Sequence, residues 1–394
     1  MMIEAIRQMA AENFTEWQRI RRYIHQHPEL SFEEHNTAAF ISQQLTAWGI
    51  SHETGIAGTG IVGVLEGRTP GKKCIAVRAE LDALPILEAN EVPYKSKNEG
   101  VMHACGHDMH TTCLLGVIRI LSVYKNEWEG RLKFIFQPGE EKHPGGGSIM
   151  IDEGVLENPE VDAIFGLHVY PHLPAGEVGF RAGQYMASTD EIHIKINGKG
   201  GHAALPHQTI DPIAISAQVI TALQQVVSRK SNPVSPCVLS FGKIAGGTVN
   251  NVIPDFVELS GTLRTMDEEW RKKAHYLIRN IVTSISESFG ATATIEIPNG
   301  YPSLYNNPQL TVAAEHWAKE YLGKEQVKTL DLRMTADDFA FYSQKIPGCY
   351  FRIGTNQAGE SYTASVHNPH FDIDETAMIT GIGLMSWLVL NALA

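Results

Sequence analysis

Three histidines, a cysteine and an aspartate stand within eight positions of one another in the segment 102–110, MHACGHDMH. Thiolate, imidazole and carboxylate are metal-ligand types. The spacing Cys105-Gly106-His107 lets two of them reach one ion from a turn. The plain alternative is a polar loop opening a helix. A second cluster, Gln137-Pro138-Gly139-Glu140-Glu141, follows the apolar run 132–136. Adjacent carboxylates can divide labour, one binding metal and one moving a proton. Taken alone, a Glu pair reads as a solvated turn. His168 closes the run 163–167, and His367 lies in VHNPHFDIDE; each alone reads as a structural histidine. Together Cys105, His107, Glu141, His168 and His367 form a donor set of the size that two divalent ions sharing one bridging ligand need, with positions left for water and substrate.

The elements that must position these residues alternate along the first half. Helical spacing covers 11–26 and 33–48, with Ser31 and Glu34 spaced as a capping box for the second helix. Short apolar runs at 61–65, 74–77, 132–136 and 163–167, bounded by Gly and Pro, suit strands buried on both faces. A helix over 109–124 lies between the second and third. If these strands are parallel, their carboxyl ends share one edge, where open α/β sheets place their chemistry. Residues 190–297 then read β-α-β-β-α-β, with Asp211-Pro212 and Asp267 opening the two helices. That is a ferredoxin-like unit, complete in itself. The expectation is an α/β catalytic domain with a mixed, largely parallel sheet in two parts, 1–184 and 298–394, around an inserted domain over 185–297. Helical patterns at 308–322, 335–345 and 376–393 and a strand at 349–353 complete the second part.

Composition narrows the function. Of 394 residues, 43% are hydrophobic and 19% charged, which is ordinary for a globular chain. With 32 Lys and Arg against 44 Asp and Glu, the formal charge is −12, and no basic run offers a nucleic-acid footprint. Five scattered cysteines do not make a disulfide framework. The N-terminus lacks the apolar core of a signal peptide, so a cytoplasmic setting is expected. The uncharged stretch 376–394 reads as a buried helix rather than a membrane span. Gly58-Thr59-Gly60-Ile61-Val62-Gly63 matches a dinucleotide-binding pattern, but a strand follows where a helix must begin.

As a set, RRYIHQHPELSFEE, RAELDALP, MHACGHD, FQPGEE, FGLHVYPHLPAG, GKGGHAALPH, NVIPD, GTLRT and VHNPHFDIDE resemble one family over nearly the whole chain. It is the co-catalytic metallo-amidohydrolases related to aminoacylases and carboxypeptidase G. The matching branch holds hippurate hydrolases, auxin–amino-acid conjugate hydrolases and N-acetyl-diaminopimelate deacetylases. The resemblance implies two divalent ions, Zn, Mn or Co, with Cys105 bridging. His107 and His168 would complete one site, and Glu141 and His367 the other. It implies Glu140 as general base and Asp82 as the carboxylate orienting His107. It also implies His202 as an oxyanion donor acting across a homodimer, and Asn251 and Arg264 as binders of a small N-acyl amino acid. Amide hydrolysis is the implied reaction. A dipeptidase or carboxypeptidase using the same site is the runner-up, and a non-catalytic binding protein the rival of another class. The chain departs from the branch at Glu80, where Asp is usual, at Gly139, where Ala is common, in the 142–147 loop with its extra His143, and at Asp337, where Glu is usual. His143 is expected to be a loop residue rather than a ligand.

Overall fold

The computed structural model describes residues 2–71, 73–357 and 364–394. The chain divides into two compact units. One takes in the chain up to Gly183 with Tyr305–Asp331 and Asp338–Ala394; the other comprises Gln184–Leu304 and Leu332–Asp337.

The first unit is built on an eight-stranded sheet. Its leading strands are β1 (Glu53–Ile56), β2 (Gly60–Glu66), β3 (Cys74–Glu80), β4 (Arg131–Gln137), β5 (Ala163–Pro174) and β6 (Val178–Phe180). Across the sheet the order is β1-β2-β4-β3-β5, then Gly348–Asn356, β6 and Val327–Thr329. The four central strands, β4, β3, β5 and Gly348–Asn356, are parallel. Every residue of β3 is buried, and its first four, 74–77, form the continuous apolar run of a strand covered on both faces. Val77 sits in register with Phe134 on one side and Phe165 on the other. Because Glu80 pairs with Gln137, β3 and β4 end together, and the segments carrying Asp82 and Glu140–Glu141 leave from one rim.

Helices α1 (Met2–Glu12), α2 (Phe14–Gln26), α3 (His35–Ala47) and α4 (His107–Val123) belong to this unit. α4 is buried along almost its whole length, and the C-terminal helix Ala377–Leu393 packs against it. No helix among the described residues is long and apolar enough to cross a membrane.

Several local expectations change. The N-terminal helical pattern is two helices broken at Asn13, whose side-chain amide donates to the Met9 carbonyl at 2.9 Å. The capping box does not form. Glu34 stands at the N-cap of α3 with no side-chain cap, and the Ser31 hydroxyl donates to Asp82 Oδ2 at 2.7 Å. The pattern over 335–345 yields only Phe339–Ser343 as α-helix.

The second unit carries a four-stranded antiparallel sheet in the order Cys237–Ala245, Phe256–Thr265, Asp190–Asn197, Thr292–Glu296. Ile192, Ile194 and Ile196 alternate inward and meet Val219 and Leu223 of helix Pro212–Gln225 and Ile278 and Val282 of helix Glu268–Ser288. Both helices are capped as their sequences predict. Asp211 Oδ1 accepts from the Ile213 amide at 2.9 Å, and Asp267 Oδ1 accepts from Glu269 and Trp270 at 2.9 and 3.0 Å. The connectivity is the ferredoxin-like β-α-β-β-α-β.

Candidate metal centre and active site

Cys105 sits in the turn that leads into α4, with Gly106 as N-cap at φ +83°. A side chain there would be strained and would meet Val169 at 2.7 Å, so glycine is what lets the turn lie against the middle of β5. His107 begins α4. Its Nδ1 donates to the Asp82 carbonyl at 2.8 Å and lies 3.2 Å from Asp82 Oδ1, leaving Nε2 to face the other way. His168, on β5, donates from Nδ1 to the Val169 carbonyl at 2.8 Å, which places its Nε2 3.4 Å from Cys105 Sγ. Both imidazoles are thus held in the tautomer that offers Nε2 as a ligand.

On the other side of the sulfur, Glu141 Oε1 lies 3.1 Å from His367 Nε2. His367 is half-exposed and adopts φ +64°, and its amide donates to the Ala104 carbonyl at 2.7 Å. That bond ties a residue from the end of the chain to the Cys105 turn.

The ligand atoms of Cys105, His107 and His168 all lie within 4.8 Å of one another, and so do those of Cys105, Glu141 and His367. Cys105 belongs to both groups. A third group, His107 with Glu140 and Glu141, joins them. One of the donor atoms, His107 Nε2, is buried and makes no hydrogen bond. Buried polar atoms without partners are costly, and a bound cation would remove that cost here. Thiolate, three imidazoles and a carboxylate fit a pair of borderline divalent ions such as Zn.

Burial, and then the Glu141 and Glu140 carboxylates, push the Cys105 thiol well above its ordinary range. Thiolate binding of a cation reverses that balance. Burial opposes the charged form of His107, but the Asp82 and Glu80 carboxylates outweigh it and raise its pKa to about 10. Burial and the nearby Arg352 cation hold His168 well below its usual value, so its lone pair is available.

Other members of the histidine cluster do different work. Asp108 points away from His107 and accepts from Arg21 Nε at 2.6 Å, with His25 Nδ1 at 2.8 Å. His103 is fully buried, and burial drives its pKa down to about 3. Glu80, His107 and His110 also lie close enough to hold an ion. That group is a support instead. Both His110 nitrogens are engaged, Nδ1 with Glu80 Oε2 at 2.8 Å and Nε2 accepting from the Val169 amide at 3.0 Å, while Arg78 pairs with Glu80. The spacing of His107 and His110 on one helix face is the signal that could have found this. Asp338 is a further support: it accepts from Gln137 Nε2 at 2.7 Å and from the Gly147 amide at 2.9 Å. His143 is exposed and joins no metal-capable group among the described residues.

Three sequence-predicted residues belong to the second unit. His202 and Asn251 meet on a two-stranded ribbon in which His202 pairs with Val252 and the Ala203 amide donates to the Asn251 carbonyl at 3.0 Å. His202 is exposed, and the Ala204 amide donates to its Nδ1 at 3.1 Å, which leaves Nε2 as the ring's donor. Arg264 lies on strand Phe256–Thr265, opposite Val238.

Residues 76–391 match the model of peptidase family M20/M25/M40. The chain belongs to this family. It is 43% identical over 306 residues to an N-acyl-L-amino acid amidohydrolase of Geobacillus stearothermophilus, covering 78% of this chain and 82% of that protein. It is 40% identical over 365 residues to a thermostable carboxypeptidase of Saccharolobus solfataricus, covering 92% and 91%. Among solved structures, a Bacillus subtilis protein described as a dinuclear metal-binding peptidase of family M20 superposes with a TM-score of 0.82. It shares 35% identity, with 97% of this chain and 99% of that one covered. The protein is therefore an M20 metallohydrolase, and the mixed sheet with a separate antiparallel domain is the fold of that family.

Proposed function

We propose that this M20 hydrolase cleaves the amide bond of N-acyl amino acids, using two divalent ions held by Cys105, His107, His168, Glu141 and His367. The observation that carries the reading is that one sulfur is common to two ligand groups: Cys105 with His107 and His168, and Cys105 with Glu141 and His367. When bound, such a pair supplies Lewis acidity to the scissile carbonyl and lowers the pKa of water from ~15.7 toward ~7.

The chain's own groups do the rest. Glu140 is buried, and its Oε2 lies 4.0 Å from His107 Nε2. It takes the proton of the attacking water and delivers it to the departing amine. Asp82 holds His107 from behind. His202, with Nε2–H outward, is the donor for the carbonyl oxygen as it gains charge. In this reading it reaches the site of a second chain in a homodimer. Asn251 and Arg264 take the substrate's carbonyl and carboxylate, the guanidinium fork matching the latter.

An amidohydrolase relative supports N-acyl amino acids as substrates, and carboxypeptidase relatives support peptides as the second reading. The test is a panel of N-acetyl, N-benzoyl and N-indoleacetyl amino acids beside dipeptides. The chelated protein is reloaded separately with Zn, Mn and Co, and released amine is measured. N-acyl substrates are expected to turn over faster than dipeptides, and chelation to abolish both. Fully metal-loaded protein that releases amine only from dipeptides would refute the proposal.

A further inference from the structure

The Ser31-x-x-Glu34 motif, which caps no helix, is spent on the loop that carries Glu140. Glu34 is fully buried and reaches across the fold. Its Oε1 accepts from the Gly139 amide at 2.8 Å and from the Phe32 amide at 2.9 Å, and its Oε2 accepts from the Thr59 hydroxyl at 2.6 Å. Ser31 works one step removed. Its hydroxyl donates to Asp82 Oδ2 at 2.7 Å, and the same oxygen accepts from the Glu141 amide at 2.9 Å. The amides of the residues before and after Glu140, Gly139 and Glu141, are therefore both held by carboxylates, and both carboxylates are anchored by one four-residue segment.

Two backbone features show that the grip is specific. Phe32 holds φ +69°, an uncommon conformation for a bulky residue, with its amide taken by Glu34. Gly139 holds φ +59°, and its missing side chain would stand 2.4 Å from the Phe32 ring. The ring thus lies over the residue just before Glu140.

We propose that Glu34 is a positioning residue for Glu140, acting through the Gly139 amide, with Ser31 and Asp82 performing the matching task at the Glu141 amide. It touches neither substrate nor metal. This rests on the reading of Glu140 as general base. Geometry decides the rate here because a displacement of ~1 Å in a reacting group costs about 100-fold.

The test is a series at Glu34 read by kcat, KM and metal content. Glu34→Ala is expected to lower kcat about 100-fold with KM within about threefold and metal content unchanged. Glu34→Gln keeps an oxygen for both amides and can donate to Thr59, so it should recover at least about tenfold of that loss. Glu34→Asp keeps the charge but is one methylene too short, and should fall below Gln. That order holds the inference to account even if the alanine variant does not fold. Asp matching or exceeding Gln would mean that charge, not reach, matters, and would overturn it. So would Glu34→Ala with kcat within about threefold of wild type.

A double-mutant cycle separates positioning from general structural damage. In a Glu140→Gln background, Glu34→Ala should cost nothing further, and a second loss of similar size would contradict the proposal. If Glu140→Gln itself keeps turnover, the base assignment fails whatever the Glu34 series shows. A dead Glu140→Gln beside an active Glu34→Ala removes the positioning role alone.

Discussion

Asp82 offers the sharpest perturbation of the metal centre that leaves every ligand in place. It is 1% exposed and serves two elements at once. Its carbonyl and Oδ1 face His107 Nδ1, at 2.8 and 3.2 Å, while Oδ2 accepts from Ser31 and from the Glu141 amide, at 2.7 and 2.9 Å. One ligand on each side of Cys105 is therefore held by this residue, His107 through the carbonyl with Oδ1 beside it and Glu141 through Oδ2. In Asp82→Asn the oxygen stays with Ser31 and Glu141, where both partners donate. The new amide then faces His107 Nδ1–H, donor against donor. Removing a support of this kind costs ~10–100-fold in metal affinity, about 1.4–2.7 kcal/mol. The asparagine variant should fall near the lower figure. Asp82→Ala, which also strands the Glu141 amide and the Ser31 hydroxyl, should fall near the upper. Competition of the chelated protein against a chromophoric Zn chelator reads this directly, without substrate. Wild-type affinity at both sites in Asp82→Ala would refute the idea that His107 and Glu141 are set by this carboxylate.

Other outcomes follow from the same geometry. His202→Ala should lower kcat by ~10²–10³-fold while metal content stays at the wild-type level, since in the proposed mechanism the residue donates only to developing charge; steady-state kinetics with parallel metal analysis checks it, and kcat within threefold of wild type counts against it. In the second unit, burial opposes the Asp190 anion. Arg271 Nη2 at 2.6 Å and His275 Nε2 at 2.8 Å outweigh it and hold its pKa at about 2. A carboxyl depressed in the folded state gives stability that is present above its unfolded pKa and lost as pH falls through the folded one. Stability worth about 2 kcal/mol should therefore disappear between about pH 4 and pH 2. Asp190→Asn should show a flatter acid limb than wild type in denaturant melts across that window, and identical limbs would count against the assignment.

The central strands were legible because each is buried on both faces, which writes short, mostly apolar runs into 74–77 and 132–136. The two helices of the second unit were legible because Asp211 and Asp267 each stand one residue before a helix, and their side chains do what the pattern implies. Val178–Phe180 and the edge strand Val327–Thr329 are three residues long, too short for any period to register. At the candidate centre, the Cys-x-His pattern pointed to a turn, and the structure places the ligand atoms of Cys105 and His107 within 4.8 Å of each other. The sequence could not say which neighbours face the sulfur. Asp108 follows His107 directly, but one step on a helix turns a side chain by about 100°, and that step carries it to Arg21. Ser31 and Glu34 had the right spacing for a cap, and nothing local shows that Glu34 finds its partner at Gly139. Glu80, noted only as a departure, proves to be buried between Arg78 and His110.

The centre can be tested most directly on the Zn-reconstituted protein, by anomalous diffraction at the Zn edge together with metal analysis. Two ions per chain are expected, each at ~2.3 Å from the sulfur of Cys105. One should be completed by His107 and His168 and the other by Glu141 and His367. A single ion, or two ions of which only one touches that sulfur, would contradict that arrangement.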